Sequence, residues 1–195
     1  MGGSVVMTRL VDRAHEFACA AHRGIGQVRK YTGQPYEEHL RRVAEIVASV
    51  TDDAETIAAA WLHDVVEDTP VTVSDVERAF GADVGTLVEA LSDVSRPEDG
   101  NRAARKAIDR AHLAKAPPRA QTVKLADLID NCQDICVHDR HFGRVFLREM
   151  AASLEVLTAG SPILIQRARE LHGQWSARLF RSRTRSAPRA GEAER

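Results

Sequence analysis

Four polar side chains interrupt an otherwise apolar segment, residues 58–69: His63, Asp64, Glu67 and Asp68. On one continuous helix, Glu67 would lie one turn beyond His63 and Asp68 one turn beyond Asp64, so the four groups would form a single patch. Three carboxylates beside a histidine on a core-like helix are unfavourable unless a cation offsets their charge. Histidine and carboxylate ligands suit manganese, iron or zinc. The pattern therefore predicts a metal site.

Two further residues could complete this site from other helices. His39 projects from an apolar helix face, and Asp127 lies on a second hydrophobic helix. Each has an ordinary alternative: a hydrogen-bonded core histidine, or an ion pair with Lys124 three residues earlier. With His63 and Asp64 they would form a set of two histidines and two aspartates from three helices. Such a set leaves positions for water and substrate.

Helical periodicity runs through almost the whole chain, and breakers divide it into separate helices. Thr8 predicts the start of the first helix, and the Gly-rich segment Gly24–Pro35 predicts a loop. Ser74 and Glu77 have the spacing of a capping box. Sustained period-2 alternation and hairpin dipeptides do not occur. We predict an all-α bundle, a single domain over residues 1–181, with later helices near 36–50, 54–66, 74–81, 84–91, 101–116, 120–137, 143–159 and 162–181.

The composition excludes several classes of protein. The chain has 195 residues, 44% hydrophobic and 28% charged, which is typical of a globular domain. Its net charge of −1 argues against DNA or RNA as a partner. The sequence has no apolar run long enough for a membrane span, and its first ten residues lack a signal-peptide core. The three cysteines without a CxxC motif favour the cytoplasm. The Arg-rich tail, 182–195, is predicted to be disordered.

Several segments together carry a resemblance to a known family. They are Ala21–Gly24, Arg29–His39, Ala58–Thr69, Phe80–Val84 and Val123–Asp127. With these segments the chain resembles the HD-domain metal-dependent phosphohydrolases, and within them the hydrolase domain of RelA/SpoT-type proteins. It looks most like the small stand-alone hydrolases of the alarmone ppGpp. The resemblance spans about residues 10–160.

The resemblance implies a fold, a cofactor and a role for each matching residue. The fold would be an HD-domain helical bundle, and the metal would be manganese, a cofactor held by His39, His63, Asp64 and Asp127. Glu67 and Asp68 match the catalytic acidic pair that positions and activates the attacking water. Arg29, Lys30 and Asn131 match positions that contact the guanosine nucleotide substrate.

Other polar residues near these motifs have less specific interpretations. A basic stripe, Arg102, Arg105 and Lys106, could meet the diphosphates or could form a solvated helix face. Asp130 and Asp134 flank Asn131, and we interpret them as acids on the helix surface. Cys132 and Cys136 are predicted to be buried as small apolar side chains.

Three classes of function remain open at this point. The leading hypothesis is a manganese-dependent pyrophosphohydrolase that removes the 3′-diphosphate of guanosine tetra- or pentaphosphate. Another HD-domain phosphatase, acting on NADPH or a nucleoside monophosphate, would use the same metal ligands. A nucleotide-binding HD sensor without turnover would not need Glu67 and Asp68, and a helical interaction module would bind no metal. A chain of this length is expected to carry the hydrolase domain alone, and the sequence leaves its oligomeric state open.

Overall fold

The computed structural model describes residues 3–180, with side chains described from residue 9 onward. Within that part the chain forms ten α-helices, one 3₁₀ turn at Pro97–Asp99 and no β-strand. The prediction of an all-α fold is therefore confirmed. The helices are α1 Gly3–Gly24, α2 Glu37–Ala48, α3 Ala54–Leu62, α4 Val65–Asp68, α5 Val73–Phe80, α6 Ala82–Leu91, α7 Arg102–Leu113, α8 Pro118–His138, α9 Arg140–Val156 and α10 Pro162–Phe180.

Helices α3 and α8 form the centre of the bundle. Helix α3 packs against α1, α2, α6 and α8, and α8 also contacts α9 and α10. The alanines at 58, 59 and 60 and the side chain of Leu62 are completely buried. Small side chains on α3 let its neighbours approach closely, and this brings polar groups from α2 and α8 next to the end of α3.

The loop between α1 and α2 is closed by an isolated antiparallel β-bridge. Val28 pairs with Pro35, and the amide of Arg29 donates to the carbonyl of Gln34 at 2.8 Å. Gly33 has φ +68°, a conformation that favours glycine. This turn directs the Arg29 side chain inward, where it is 7% exposed, and leaves Lys30 exposed. The predicted loop is thus an ordered element that presents one basic residue to the interior.

Several predicted helix boundaries were wrong, and local hydrogen bonds explain two of them. Helix α5 begins after Thr72, not Ser74, because the Thr72 hydroxyl and the Asp75 carboxylate form the capping box. Helix α9 begins at Arg140, not 143, because the Asp139 carboxylate accepts the amides of His141 and Phe142.

At the other end of the sequence, α1 starts at Gly3 rather than Thr8. Residues 4–7 contain neither Gly nor Pro, so nothing in the chain stops the helix from extending there. The predicted tail, 182–195, lies outside the described residues.

The predicted helix over residues 54–66 was also wrong in one respect, since it is broken at His63 and Asp64. The His63 Nδ1 donates to the carbonyl oxygen of Ala60 at 2.8 Å. In a continuous helix that carbonyl would accept the amide of Asp64. The ring therefore competes with the helical ladder, and Asp64 takes φ −101° and ψ −4° before α4 begins.

Candidate metal centre and the adjoining cleft

Four side chains from three parts of the fold converge where α3 ends. His39 comes from α2, His63 and Asp64 from the break between α3 and α4, and Asp127 from α8. His39, His63 and Asp64 offer ligand atoms that all lie within 4.8 Å of one another. Asp127 Oδ1 lies 3.4 Å from Nε2 of His39 and 3.8 Å from Nε2 of His63. The structure thus brings together all four residues that the sequence predicted as ligands.

The donor set fits a divalent metal ion. The Nε2 atoms of His39 and His63 are buried and have no hydrogen-bond partner. Both point towards Asp64, with Nε2 to Oδ2 distances of 3.5 and 3.0 Å. Ligand atoms about 2.1 Å from a shared ion would lie roughly 3 to 4 Å apart, as these do. Two buried nitrogen lone pairs facing two carboxylates are therefore suited to a cation.

The electrostatics of the cluster also favour a cation. Burial alone would lower the pKa of His39, but the surrounding carboxylates raise it to about 9. Burial opposes ionisation of Asp127 as well, yet Lys124, whose Nζ lies 2.9 Å from Oδ2, and the two rings hold its pKa well below the usual range. Positive charge is thus favoured at this point. Metal binding displaces protons from such groups, so affinity should rise with pH.

Tyr36 belongs to this centre, although the sequence analysis gave it no role. Its hydroxyl donates to Asp64 Oδ2 at 2.6 Å. Burial, followed by the charge of Asp64, raises the pKa of the phenol above its ordinary value, so the group remains a donor. The bond fixes one oxygen of Asp64. The only sign of Tyr36 in the sequence is its place three residues before His39.

Glu67 and Asp68 lie on the short helix α4 that follows the break, and the amide of Asp68 donates to the carbonyl of Asp64 at 3.0 Å, one turn earlier. Both are exposed beside the centre, and each is held by another loop. Glu67 Oε1 accepts the amide of Asp93 at 2.8 Å. Asp68 Oδ2 accepts from Gln27 Nε2 at 2.8 Å. Although Glu67 as a whole residue is exposed, neighbouring groups exclude solvent from around its carboxyl group, and this raises its pKa to about 7 against the opposing charge of Lys124.

The residues expected to contact substrate lie in two different settings. Arg29 donates to Asn131 Oδ1 at 3.2 Å and to Asp134 Oδ2 at 2.6 Å, and Asn131 in turn donates to Asp127 Oδ1 at 2.5 Å. These residues therefore form a chain that ends on a predicted metal ligand. Lys30 is exposed, with its Nζ 5.0 Å from the centre of the Tyr31 ring.

The interpretation of Asp130 and Asp134 as surface acids was wrong. The side chain of Asp130 is 3% exposed, and that of Asp134 is 12% exposed. Asp130 accepts from His39, and Asp134 pairs with Arg29. Both carboxylates lie under the metal centre because α8 is packed on several sides, so an acid on it does not have to face solvent.

A cleft opens beside the centre, between α6, α7, α8 and α9. Lys124, Asp127 and Asn131 form its inner end, and Arg102 and Lys106 line its wall. Both wall cations are already paired: Arg102 donates to Glu149 at 2.7 and 2.8 Å, and Lys106 to Asp93 at 2.7 Å. The cleft could hold part of a ligand, and its lining combines basic side chains with the carboxylates that pair with them. Two residues of the basic stripe on α7, Arg102 and Lys106, therefore line this cleft, and Arg105 does not.

Cys132 and Cys136 pack near this region as predicted. Both are buried on α8, with their sulfur atoms 4.0 Å apart. They fill space between α8 and α9 as small apolar side chains do. In the part of the chain that the structure describes, no helix is long and apolar enough to cross a membrane.

The segment that contains the histidine–aspartate cluster matches a known protein family. The family model for the HD domain matches residues 14–152, and the chain belongs to this family of HD-domain proteins.

Two curated relatives and one solved structure are similar to it. A Drosophila melanogaster protein named guanosine-3′,5′-bis(diphosphate) 3′-pyrophosphohydrolase MESH1 is 38% identical over 128 residues, which are 63% of this chain and 68% of that protein. An Aquifex aeolicus protein named guanosine-3′,5′-bis(diphosphate) 3′-pyrophosphohydrolase is 34% identical over 127 residues, or 65% of this chain. The chain spans only 18% of the length of that relative.

The solved structure agrees with the relatives in fold. It is described as a metazoan ortholog of SpoT that hydrolyses ppGpp and plays a role in starvation responses. The match has a TM-score of 0.74 and 30% identity, and it covers 85% of this chain and 94% of that one. The helical arrangement extends over nearly the whole of the solved chain. The predicted HD-domain fold is confirmed.

Proposed function

We propose that this protein is a metal-dependent pyrophosphohydrolase that removes the 3′-diphosphate from guanosine 3′,5′-bis(diphosphate) and from the corresponding pentaphosphate. The observation that carries the proposal is the pair of unpartnered, buried Nε2 atoms of His39 and His63, which face Asp64 and Asp127 beside a cleft lined by paired basic and acidic side chains. The names of the Drosophila and Aquifex relatives support the same substrate. Manganese is the proposed metal.

In the proposed reaction, water adds to the phosphorus bonded to the 3′ oxygen and the bond between that oxygen and phosphorus breaks. The departing 3′ oxygen takes up a proton, so that GDP or GTP and pyrophosphate are released. When bound, the metal ion lowers the pKa of water and neutralises charge on a phosphoryl oxygen. His39, His63, Asp64 and Asp127 hold the ion. Glu67, beside this centre, accepts the proton of the attacking water.

The other charged groups of the site bind and orient the substrate. Lys124 lies against Asp127 at the inner end of the cleft and faces the developing negative charge. Arg102 and Lys106 on the wall are placed to exchange their carboxylate partners for phosphate oxygens. Arg29 and Asn131, by resemblance, contact the nucleotide, and Lys30 at the surface shares this role. Asp68, whose carboxylate accepts from Gln27, shares the catalytic role with Glu67 or orients a histidine ligand.

The direct test is pyrophosphate release from guanosine tetraphosphate by the purified protein, with and without added manganese. We expect release that depends on the metal. NADPH and deoxynucleoside monophosphates should be compared in the same assay, because an HD-domain phosphatase for either would use the same ligands. A higher kcat/KM for NADPH than for the tetraphosphate would contradict the proposed substrate. Bound manganese without turnover of any of these compounds would favour a nucleotide sensor.

The pH dependence of this reaction should report the state of Glu67. Its pKa is raised from an ordinary 4.5 to about 7, chiefly by loss of solvent. A general base works in its ionised form, so the rate is expected to fall as the pH decreases through about 7. The measurement is kcat between pH 5 and 9 at saturating manganese, with the Glu67→Gln variant as control. A fall in kcat near pH 4.5 instead of pH 7 in the wild-type protein would contradict this role, and so would the same pH dependence in the variant.

We also propose a cytoplasmic location and no nucleic-acid partner. All three cysteines are free and buried, as expected for a protein of a reducing compartment. The near balance of acidic and basic residues offers little attraction to a polyanion. The domain proposed for the reaction is residues 1–181.

A further inference from the structure

Asp130 lies directly beneath a predicted metal ligand. Its side chain is 3% exposed, and its Oδ2 is 2.6 Å from Nδ1 of His39. An ionised carboxylate only accepts hydrogen bonds, so Nδ1 of His39 carries the proton. In the neutral ring, the form that binds a metal, the other nitrogen, Nε2, is then left with a free lone pair that faces Asp64 and Asp127. The contact thus selects the tautomer that can bind a metal.

Arg42 holds Asp130 from the other side. Its Nε donates to Oδ1 at 2.5 Å, and one terminal nitrogen lies 3.3 Å from Oδ2. Arg42 lies on α2, about one turn after His39, and Asp130 lies on α8. Because Oδ1 is occupied by the guanidinium, Oδ2 remains directed at the imidazole. Arg42, Asp130 and His39 form one continuous chain of hydrogen bonds.

The second histidine is oriented in a different way. His63 donates its Nδ1 proton to the backbone carbonyl of Ala60, which carries no full charge. His39 instead donates to a buried carboxylate, which makes its Nε2 a stronger electron donor. The two ligands are therefore not equivalent, and only the support of His39 can be changed by substituting a side chain.

We propose that Asp130, held by Arg42, is a positioning residue that orients His39 and strengthens its binding to the metal. This inference rests on the proposed function in so far as it requires a metal at the site. It adds to that function two residues, on α2 and α8, that do not touch the metal or the substrate. A plain ion pair that only joins α2 to α8 is the structural alternative.

The experiment measures metal affinity in the full chain, by titration with Mn²⁺ and separately with Co²⁺. Loss of an outer hydrogen-bond partner weakens metal binding by about 10- to 100-fold, and we expect Asp130→Ala to fall in this range. Asp130→Asn keeps an acceptor oxygen without the charge, so its loss should be smaller, about 10-fold. Arg42→Gln should have a still smaller effect. The visible absorption bands of bound Co²⁺ should shift in both Asp130 variants.

Arg41→Gln is the matched control for Arg42. Arg41 is the neighbouring residue on α2 but pairs at the surface with Glu38 and Glu45. The metal affinity and the Co²⁺ spectrum of the Arg41→Gln variant are expected to equal those of the wild-type protein. The unfolding midpoint of each metal-free variant shows whether the helices still pack.

Three outcomes would count against the proposal. Wild-type metal affinity and a wild-type Co²⁺ spectrum in both Asp130 variants would overturn it. A loss of affinity accompanied by a lower unfolding midpoint of the metal-free variant, with unchanged Co²⁺ bands, would also overturn it. A wild-type protein that binds neither metal would overturn both this inference and the proposed function. Normal metal binding without pyrophosphate release would instead contradict only the proposed function, and the effects at Asp130 would still support its positioning role.

Discussion

Replacement of Asp64 by alanine is expected to abolish metal binding and pyrophosphate release together. Both unpartnered histidine nitrogens face Asp64, at 3.5 and 3.0 Å, and His63 lies nearer to it than to Asp127. Removal of Asp64 leaves the two histidine rings with Asp127 as the remaining carboxylate among the four predicted ligands. Loss of an outer hydrogen-bond partner lowers metal affinity by roughly 10- to 100-fold, and loss of a ligand should lower it further. The Asp64→Ala variant should therefore bind metal more weakly than Asp130→Ala. Both quantities are measured on the same preparation.

Two further variants make this result specific to the metal. Asp64→Asn retains an oxygen that can accept from the Tyr36 hydroxyl, so it removes the charge with less disturbance of the hydrogen bond. Asp52→Ala removes an exposed acid shortly before α3 and should leave affinity and activity unchanged. Undiminished manganese binding by Asp64→Ala would show that the ion, if present, is bound elsewhere.

The metal ligands were predictable because their chemistry conflicts with their surroundings. A histidine and an aspartate in an alanine-rich helix, and an aspartate in a second apolar helix, are costly to bury without a purpose. Residue type and spacing therefore made His39, His63, Asp64 and Asp127 candidates, and the resemblance to HD-domain proteins selected them as predicted ligands before any contact was known. The helical fold followed from periodicity in the same direct way.

The supporting residues were not predictable, since their contacts join distant parts of the chain. An aspartate such as Asp130, on a helix with other polar residues, has the pattern of a surface group until α2 packs against α8. Tyr36 has no signal beyond its proximity to His39. The break at His63 contains neither Gly nor Pro, and it results from a side-chain bond to the Ala60 carbonyl. Sequence patterns describe local preferences, whereas these features depend on tertiary packing.

Substitution of Glu67 by glutamine should separate proton transfer from metal binding. Loss of a general base commonly lowers turnover by about 10²- to 10⁴-fold, and we expect kcat of Glu67→Gln to fall in this range. Glutamine keeps an oxygen that can accept the Asp93 amide, so the neighbouring loop should stay in place. Manganese affinity should remain close to wild type, because no ligand atom is changed.

Glu67→Ala distinguishes the two functions of this side chain. It removes both the base and the bond to Asp93, so KM should rise in addition to the fall in kcat, since Asp93 also holds Lys106 on the cleft wall. Glu45→Gln, an exposed acid on α2, is the control and should behave as the wild-type protein does. Normal turnover by Glu67→Gln would contradict the assignment of the base and direct attention to Asp68. The Asp68 side chain accepts a hydrogen bond from Gln27 and does not contact the loop at Asp93. Its substitution should therefore leave the ion pair between Asp93 and Lys106 unchanged.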